Sequence, residues 1–96
     1  MQSVHFDADQ KLLDFIQRKT DKLETFHDRI IDGEVFLRLE KDTENRQNKL
    51  VEIKLHVPGG SVFAKEHSAS FETATDEAVE SLRVQLIKLK DKQKAI

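Results

Sequence analysis

The chain has 96 residues, 38% of them apolar, with 16 basic and 18 acidic side chains and a formal net charge of −2. That is one domain with one modest core, and it excludes a protein that coats nucleic acid through bulk positive charge. The absence of Cys excludes disulfides, thiolate zinc fingers and thiol nucleophiles, and with three Gly and one Pro the composition is not that of a linker. No apolar run approaches the roughly 20 residues of a membrane span, and the early charges Asp7, Asp9 and Lys11 do not fit a secretory signal. A cytoplasmic protein that does not use a membrane is the expectation.

In chain order, Val4 and Phe6 share one parity and suit a short strand. Leu12, Ile16, Leu23, Phe26 and Ile30, widened by Leu13 and Phe15, then recur at helical spacing, with Lys11, Asp14, Arg18, Asp21 and Lys22 opposite. The pattern predicts an amphipathic helix over about residues 8–27, capped by Asp7 or Asp9. After the Asp32-Gly33 turn signal, Val35, Leu37 and Leu39 alternate with Phe36, Arg38 and Glu40 as in a strand with one buried face. Residues 41–49 contain nothing apolar and predict an exposed loop.

A second alternation sets Val51, Ile53, Leu55 and Val57 against Glu52, Lys54 and His56. Pro58-Gly59-Gly60 fits a tight reversal, because Pro presets φ near −65° and Gly accepts the positive φ that must follow. A third strand with Val62 and Ala64 inward completes an antiparallel meander. From a Ser70 cap, Phe71, Ala74, Ala78, Val79, Leu82, Leu86 and Leu89 mark a long final helix, acidic early and lysine-rich late as the helix dipole favours, with a tail that frays from about residue 93. The order β-α-β-β-β-α makes an α+β two-layer sandwich, with two helices on one face of a four-stranded sheet in the manner of a double-stranded-RNA-binding domain. Phe36, Arg38, Lys54, His56, Phe63 and Lys65 would line the opposite sheet face.

Catalytic chemistry finds little purchase. His56 and His67 could approach one another on neighbouring strands, with Glu52 or Glu66 as a carboxylate, but no ligand spacing supports a metal site. Ser61, Ser68 and Ser70 lack a nucleophile elbow and an evident base, and Gly59-Gly60 sits in a hairpin where no phosphate cradle forms. The reading is of a protein that is not an enzyme and takes no cofactor.

Charge distribution is more informative. Residues 83–96 carry five basic side chains (Arg83, Lys88, Lys90, Lys92 and Lys94) against Asp91, whereas residues 65–80 carry one Lys against five acids. A chain polarised in this way suits a polyanion at one place, and Arg18, Lys19, Lys22 and Arg29 of the first helical segment can add to that patch. Asp14, Asp21, Glu24 and Asp28 are interleaved with them, so an ordinary solvated face with an Asp14–Arg18 surface pair is the competing reading.

Several motifs together carry a resemblance. Lys19-Thr20-Asp21-Lys22-Leu23-Glu24 followed by Phe26-His27-Asp28-Arg29-Ile30, then Leu39-Glu40-Lys41, then His56-Val57-Pro58-Gly59-Gly60, and finally Gln85-Leu86 with Lys88, Lys90, Asp91 and Lys92, resemble the ordered signatures of the bacterial ribosome hibernation-promoting factor, or ribosome-associated inhibitor A, family. The resemblance runs from about residue 2 to 94. It implies the same β-α-β-β-β-α fold and a translation inhibitor that binds the small ribosomal subunit and its ribosomal RNA in the channel used by messenger and transfer RNA during starvation. By position it implies RNA contacts from Lys19, Lys22, Lys88, Lys90 and Lys92.

The chain departs from that pattern in three places. Ser70-Phe71-Glu72-Thr73-Ala74 stands where relatives often carry an early Tyr, the loop at residues 42–49 is longer, and the first strand starts late. Ending at Ile96, the chain looks like a short form without the added dimerisation domain, a monomer away from the ribosome, and a second hibernation factor is a conceivable partner. The reading from a different class is a protein-interaction module that uses Phe36 and Phe63 on the open sheet face.

Overall fold

A computed structural model gives the fold and describes residues 2–5, 9–27, 29–40 and 48–94. The predicted Phe6 and the predicted loop at residues 41–47 lie outside that set. Strand β1, Gln2–His5, is followed by helix α1, Gln10–Asp21, and a 3-10 helix, Lys22–Thr25. Strands β2, Asp32–Leu39, β3, Lys49–Val57, and β4, Gly60–Ser68, precede helix α2, Phe71–Lys94. The predicted meander is present: β2 and β3 pair antiparallel, as do β3 and β4. β1 lies parallel to the outer side of β2, giving the order β1-β2-β3-β4.

Burial follows the predicted parity except at Leu39, predicted inward with Val35 and Leu37 but 54% exposed at the end of β2. Val35 and Leu37 of β2, Val51, Ile53, Leu55 and Val57 of β3, and Val62 and Ala64 of β4 form one core with Ile16 and Leu23 and with Ala74, Ala78, Leu82 and Leu86 of α2. Both helical stripes therefore close on one face of the sheet. Leu50 breaks the parity: it is 1% exposed, yet it shares a cross-strand row with Arg38 and His67 and stands outside the main core cluster.

Local chemistry sets the boundaries. Asp9 is the cap of α1, its Oδ1 accepting from the Lys11 backbone N–H at 3.3 Å. Ser70 caps α2, with Oγ accepting from the Thr73 N–H at 3.1 Å. The regular helix predicted to residue 27 ends earlier. The backbone N–H groups of Phe26 and His27 both donate to the Leu23 carbonyl, at 3.0 and 3.3 Å, and the Thr25 hydroxyl donates to the Lys22 carbonyl at 2.7 Å. These bonds tighten the last turn into 3-10 geometry, a usual way to end a helix, and they keep Leu23 on the core side.

Between β3 and β4, Gly59 has φ +85°. Pro58 cannot adopt the positive φ that a primed turn needs at its first central position, so a type II reversal with Gly second is what remains. A Cβ at Gly59 would meet nothing within 4 Å, so Gly59→Val is expected to cost only backbone strain, about 1–2 kcal/mol. Urea unfolding checks this, and a neutral result would sink the turn assignment.

Candidate nucleic-acid interface

Two contacts fix how α1 and α2 lie together. Lys19 Nζ stands 3.2 Å from Asp76 Oδ1, and the Arg83 guanidinium lies over the Phe26 ring at 5.8 Å. Both pairs advance by seven residues, so α1 with its 3-10 continuation runs alongside α2 in the same direction. A seam opens between them on the side away from the sheet.

Charge is sorted across α1. On the seam side, Arg18 and Lys19 lie 6.0 and 5.4 Å from the centre of the Phe15 ring, and Phe15, Arg18, Lys19, Asp21 and Lys22 line one surface recess. On the far side, Asp14 accepts from Gln10 Nε2 at 2.9 Å, and Asp21, which borders the recesses on both sides, accepts from Gln17 Nε2 at 2.6 Å. Gln17, Asp21 and Glu24 face a second recess shared with Ile30, Asp32 and Leu55. The predicted Asp14–Arg18 pair is thus replaced: Asp14 is taken by Gln10, and Arg18 lies along an aromatic ring.

α2 divides its cations between two flanks. Asp76, Arg83 and Lys90 repeat at seven residues and stay on the flank that faces α1, drifting by only about 20° per repeat. Gln85 marks the other flank: its Oε1 accepts from the Phe63 N–H at 3.2 Å and its Nε2 donates to the Phe63 carbonyl at 2.7 Å, closing part of the free edge of β4. Lys88 and Lys92 fall near Gln85 by helical period, so they stand over that edge and away from the seam. Arg18, Lys19, Lys22, Arg83 and Lys90 therefore form one band. From the level of Asp76 to Lys90 the band extends about 21 Å at 1.5 Å per residue.

Arg29 is exposed in the turn before β2, where its backbone N–H donates to Nδ1 of the buried His27 at 3.2 Å. The Ile31 N–H donates to the His56 carbonyl at 2.7 Å, which places this turn at the end of the sheet that carries the Pro58-Gly59 reversal. Since α2 runs antiparallel to β4, its lysine-rich end arrives at the same end of the sheet.

Two acids occupy the band. Asp76 holds Lys19, and Glu80, one turn later, holds Arg83 through both guanidinium edges, with Arg83 Nε to Glu80 Oε2 at 3.0 Å. The Arg83 bond holds the Glu80 carboxyl below the usual carboxylate range and raises the guanidinium further. Among the described residues, no ion pair is made by Arg18, Lys22, Arg29, Lys88, Lys90 or Lys92.

The open sheet face is different in kind. Phe63 is 47% exposed there, and Phe36 is half-buried. Its polar contacts are Lys65 with Glu52 at 3.8 Å, His56 with Asp32 at 3.8 Å and His67 with Glu40 at 3.2 Å, and among the described residues Arg38 and Lys54 make no ion pair. The predicted approach of His56 to His67 does not occur. His56 is opposite Ser61 and His67 opposite Leu50, six positions apart along the ladder, or about 20 Å. The sequence pattern also left unseen the Lys19–Asp76 and Arg83–Phe26 contacts and the Gln85 clasp, because each depends on the relative placement of two elements.

Known proteins resemble the chain along nearly all its length. The family described as "Sigma 54 modulation protein / S30EA ribosomal protein" matches residues 1–94. A ribosome hibernation promotion factor of Deinococcus radiodurans is 32% identical over 84 residues, 88% of this chain but 44% of that protein, so the chain spans less than half of that relative. A ribosome hibernation promoting factor of Klebsiella oxytoca is 37% identical over 84% of this chain and 80% of its own length. Among solved structures, a ribosomal subunit interface protein from Coxiella burnetii superposes with TM-score 0.80 at 20% identity, covering 95% of this chain and 96% of that one. The N-terminal domain of Thermus thermophilus Protein Y gives 0.76 at 24% identity, covering 92% and 93%.

Proposed function

The chain belongs to the Sigma 54 modulation protein / S30EA ribosomal protein family, and from that membership we propose that it is a ribosome hibernation factor, a noncatalytic cytoplasmic protein that binds the small ribosomal subunit and inhibits translation. Its single domain, a four-stranded sandwich of the double-stranded-RNA-binding type, lays the α1–α2 seam against ribosomal RNA in the channel that messenger and transfer RNA use. It acts as a monomer away from ribosomes.

The observation that carries this reading is the sorting of charge. Arg18, Lys19, Lys22, Arg83 and Lys90 follow one another along a single band, whereas Arg38, Lys54 and Lys65 of the open sheet face stand in separate cross-strand rows, Lys54 opposite Glu34 and Lys65 opposite Glu52. Phosphates are recognised by cations held in a row, which release condensed counterions on contact. An overall charge of −2 discourages indiscriminate coating, so binding depends on this narrow band. Phe15 and Phe26 beneath the cations hold their stems in place and lower the cost of ordering them. Lys88, Lys92 and Arg29 contribute from the flank and from the adjoining end of the sheet.

Sedimentation with purified small subunits over a series of salt concentrations tests the proposal. Binding should fall steeply, with a log–log slope of about −4 to −5 if each seam cation meets one phosphate. The exposed Phe63 supports the second reading, docking of a protein on the open sheet. A salt-insensitive complex that Phe63→Ser weakens would favour that reading and reject the first.

A further inference from the structure

The carboxylates inside the seam stand where an RNA-binding surface would be expected to carry none. We propose that Asp76, with Glu80 one turn along the same flank of α2, occupies on the seam cations the positions that RNA phosphates take, and so makes binding conditional on a surface that engages the whole band. The inference rests on the reading that the seam meets RNA and names the residues that set its discrimination.

Lys19 is the cation nearest α2, and its ammonium lies 3.2 Å from Asp76 and 5.4 Å from the Phe15 ring centre. Its side chain is 34% exposed and that of Asp76 is 52% exposed, so the pair is open to exchange with an incoming anion. Arg83 is oriented in the same way between the Phe26 ring and Glu80. A phosphodiester carries one negative charge on two free oxygens, and a carboxylate presents much the same donor demand. Either can satisfy Lys19. Neither gains over the other at a single contact, so an isolated strand that reaches only Lys19 trades one anion for another with little net change.

The balance changes when Arg18, Lys22 and Lys90 are engaged at once. Among the described residues these three have no carboxylate partner, and their contacts add affinity without an exchange. A rigid surface with phosphates spaced along the band of about 21 Å collects all of them and then displaces Asp76 and Glu80. A flexible single strand collects fewer. Discrimination thus comes from a penalty placed on the wrong partner, a repulsive element built beside the attractive one.

Glu77 provides the control, because it is the next residue of α2, is exposed, and lies by helical period on the flank away from α1. Asp76→Asn and Glu77→Gln change the net charge equally. Binding to a labelled 20-nucleotide oligouridylate and to purified small subunits would be measured for both, with thermal melting to confirm the fold. Asp76→Asn is expected to raise oligouridylate affinity about tenfold and steepen its salt slope by about one unit, with a smaller gain on small subunits, and Glu80→Gln should act with the same sign. Glu77→Gln should give less than a twofold gain. In a Lys19→Gln background the Asp76→Asn gain should vanish.

Equal gains from Asp76→Asn and Glu77→Gln would reduce the effect to long-range charge and overturn the inference, as would a full gain that survives Lys19→Gln. In either case wild-type binding to small subunits would leave the RNA reading standing. If the wild type binds neither RNA probe at low salt, both fail together.

Discussion

Lys22→Glu combined with Lys90→Glu is expected to abolish cosedimentation with small ribosomal subunits and to relieve inhibition in a translation assay. The two residues come from different helices and stand at different levels of one band: Lys22 lines the Phe15 recess, and Lys90 lies further along the flank marked by Asp76 and Arg83. Removing one cation–phosphate pair flattens the salt dependence by about one unit, so the double variant should flatten it by about two, and the introduced carboxylates add repulsion. Stability should barely move, since Lys22 is exposed, Lys90 is only half-buried, and no ion pair of either is seen among the described residues.

Any reversal on a small protein weakens attraction to a polyanion at long range, and a control must share that effect. Lys54→Glu is suited to this, because Lys54 stands on the open sheet face in the row between Glu34 and Phe63. It should cost a few-fold at most. Equal losses per charge from both variants would show that the seam is not the RNA-facing surface. A larger loss from Lys54→Glu would move the binding face to the open sheet.

The split of the late lysines adds a graded expectation. Lys88 and Lys92 lie on the Gln85 flank, over the β4 edge. If the RNA wraps only the seam, reversing them should cost less than reversing Lys90, although the three are close neighbours in sequence.

Periodicity was legible wherever an element has one wet and one dry side. Val35, Ile53 and Ala64 occupy the core row that alternation predicts, and Ser70 and Asp9 cap the helices as their short polar side chains suggest. What the chain does not spell out is the placement of one element against another. The registers that separate His56 from His67 follow from strand pairing, which the residues between them do not encode locally. The Lys19–Asp76 contact likewise depends on the parallel run of α1 beside α2, and Asp76 reads in sequence as an ordinary acid in the early part of the helix. Leu50, apolar on the wet parity yet buried, is a position where alternation and environment disagree. Signals of type are local, whereas signals of partnership are not.

The core itself should respond as strongly as the seam. Leu82→Ala and Ile53→Ala are each expected to lower the unfolding free energy by about 2–5 kcal/mol, since both side chains are fully buried and an alanine leaves a cavity that neighbours only partly fill. A domain of this length has about 5–14 kcal/mol in total, so either change removes a large share. Ile53 stands in the centre of the sheet, with Val35 on one side and Ala64 on the other, and the small Ala64 leaves room there for the α2 stripe to close on β3 and β4. Val84→Ala, on the exposed side of the same helix, should change stability by less than about 0.5 kcal/mol. If Leu82 and Ile53 share one packed layer, the double variant should depart from additivity by at least about 0.5 kcal/mol. A value below about 0.5 kcal/mol for either single variant would refute the helix-on-sheet packing at that position. Ribosome binding offers a second readout, because neither substitution alters a seam cation. At temperatures where the variants remain folded, their affinity for small subunits should match the wild type, and any loss should track the unfolded fraction. A folded Leu82→Ala that fails to bind would mean that the core positions α2 for the seam, and that the cations alone do not define the interface.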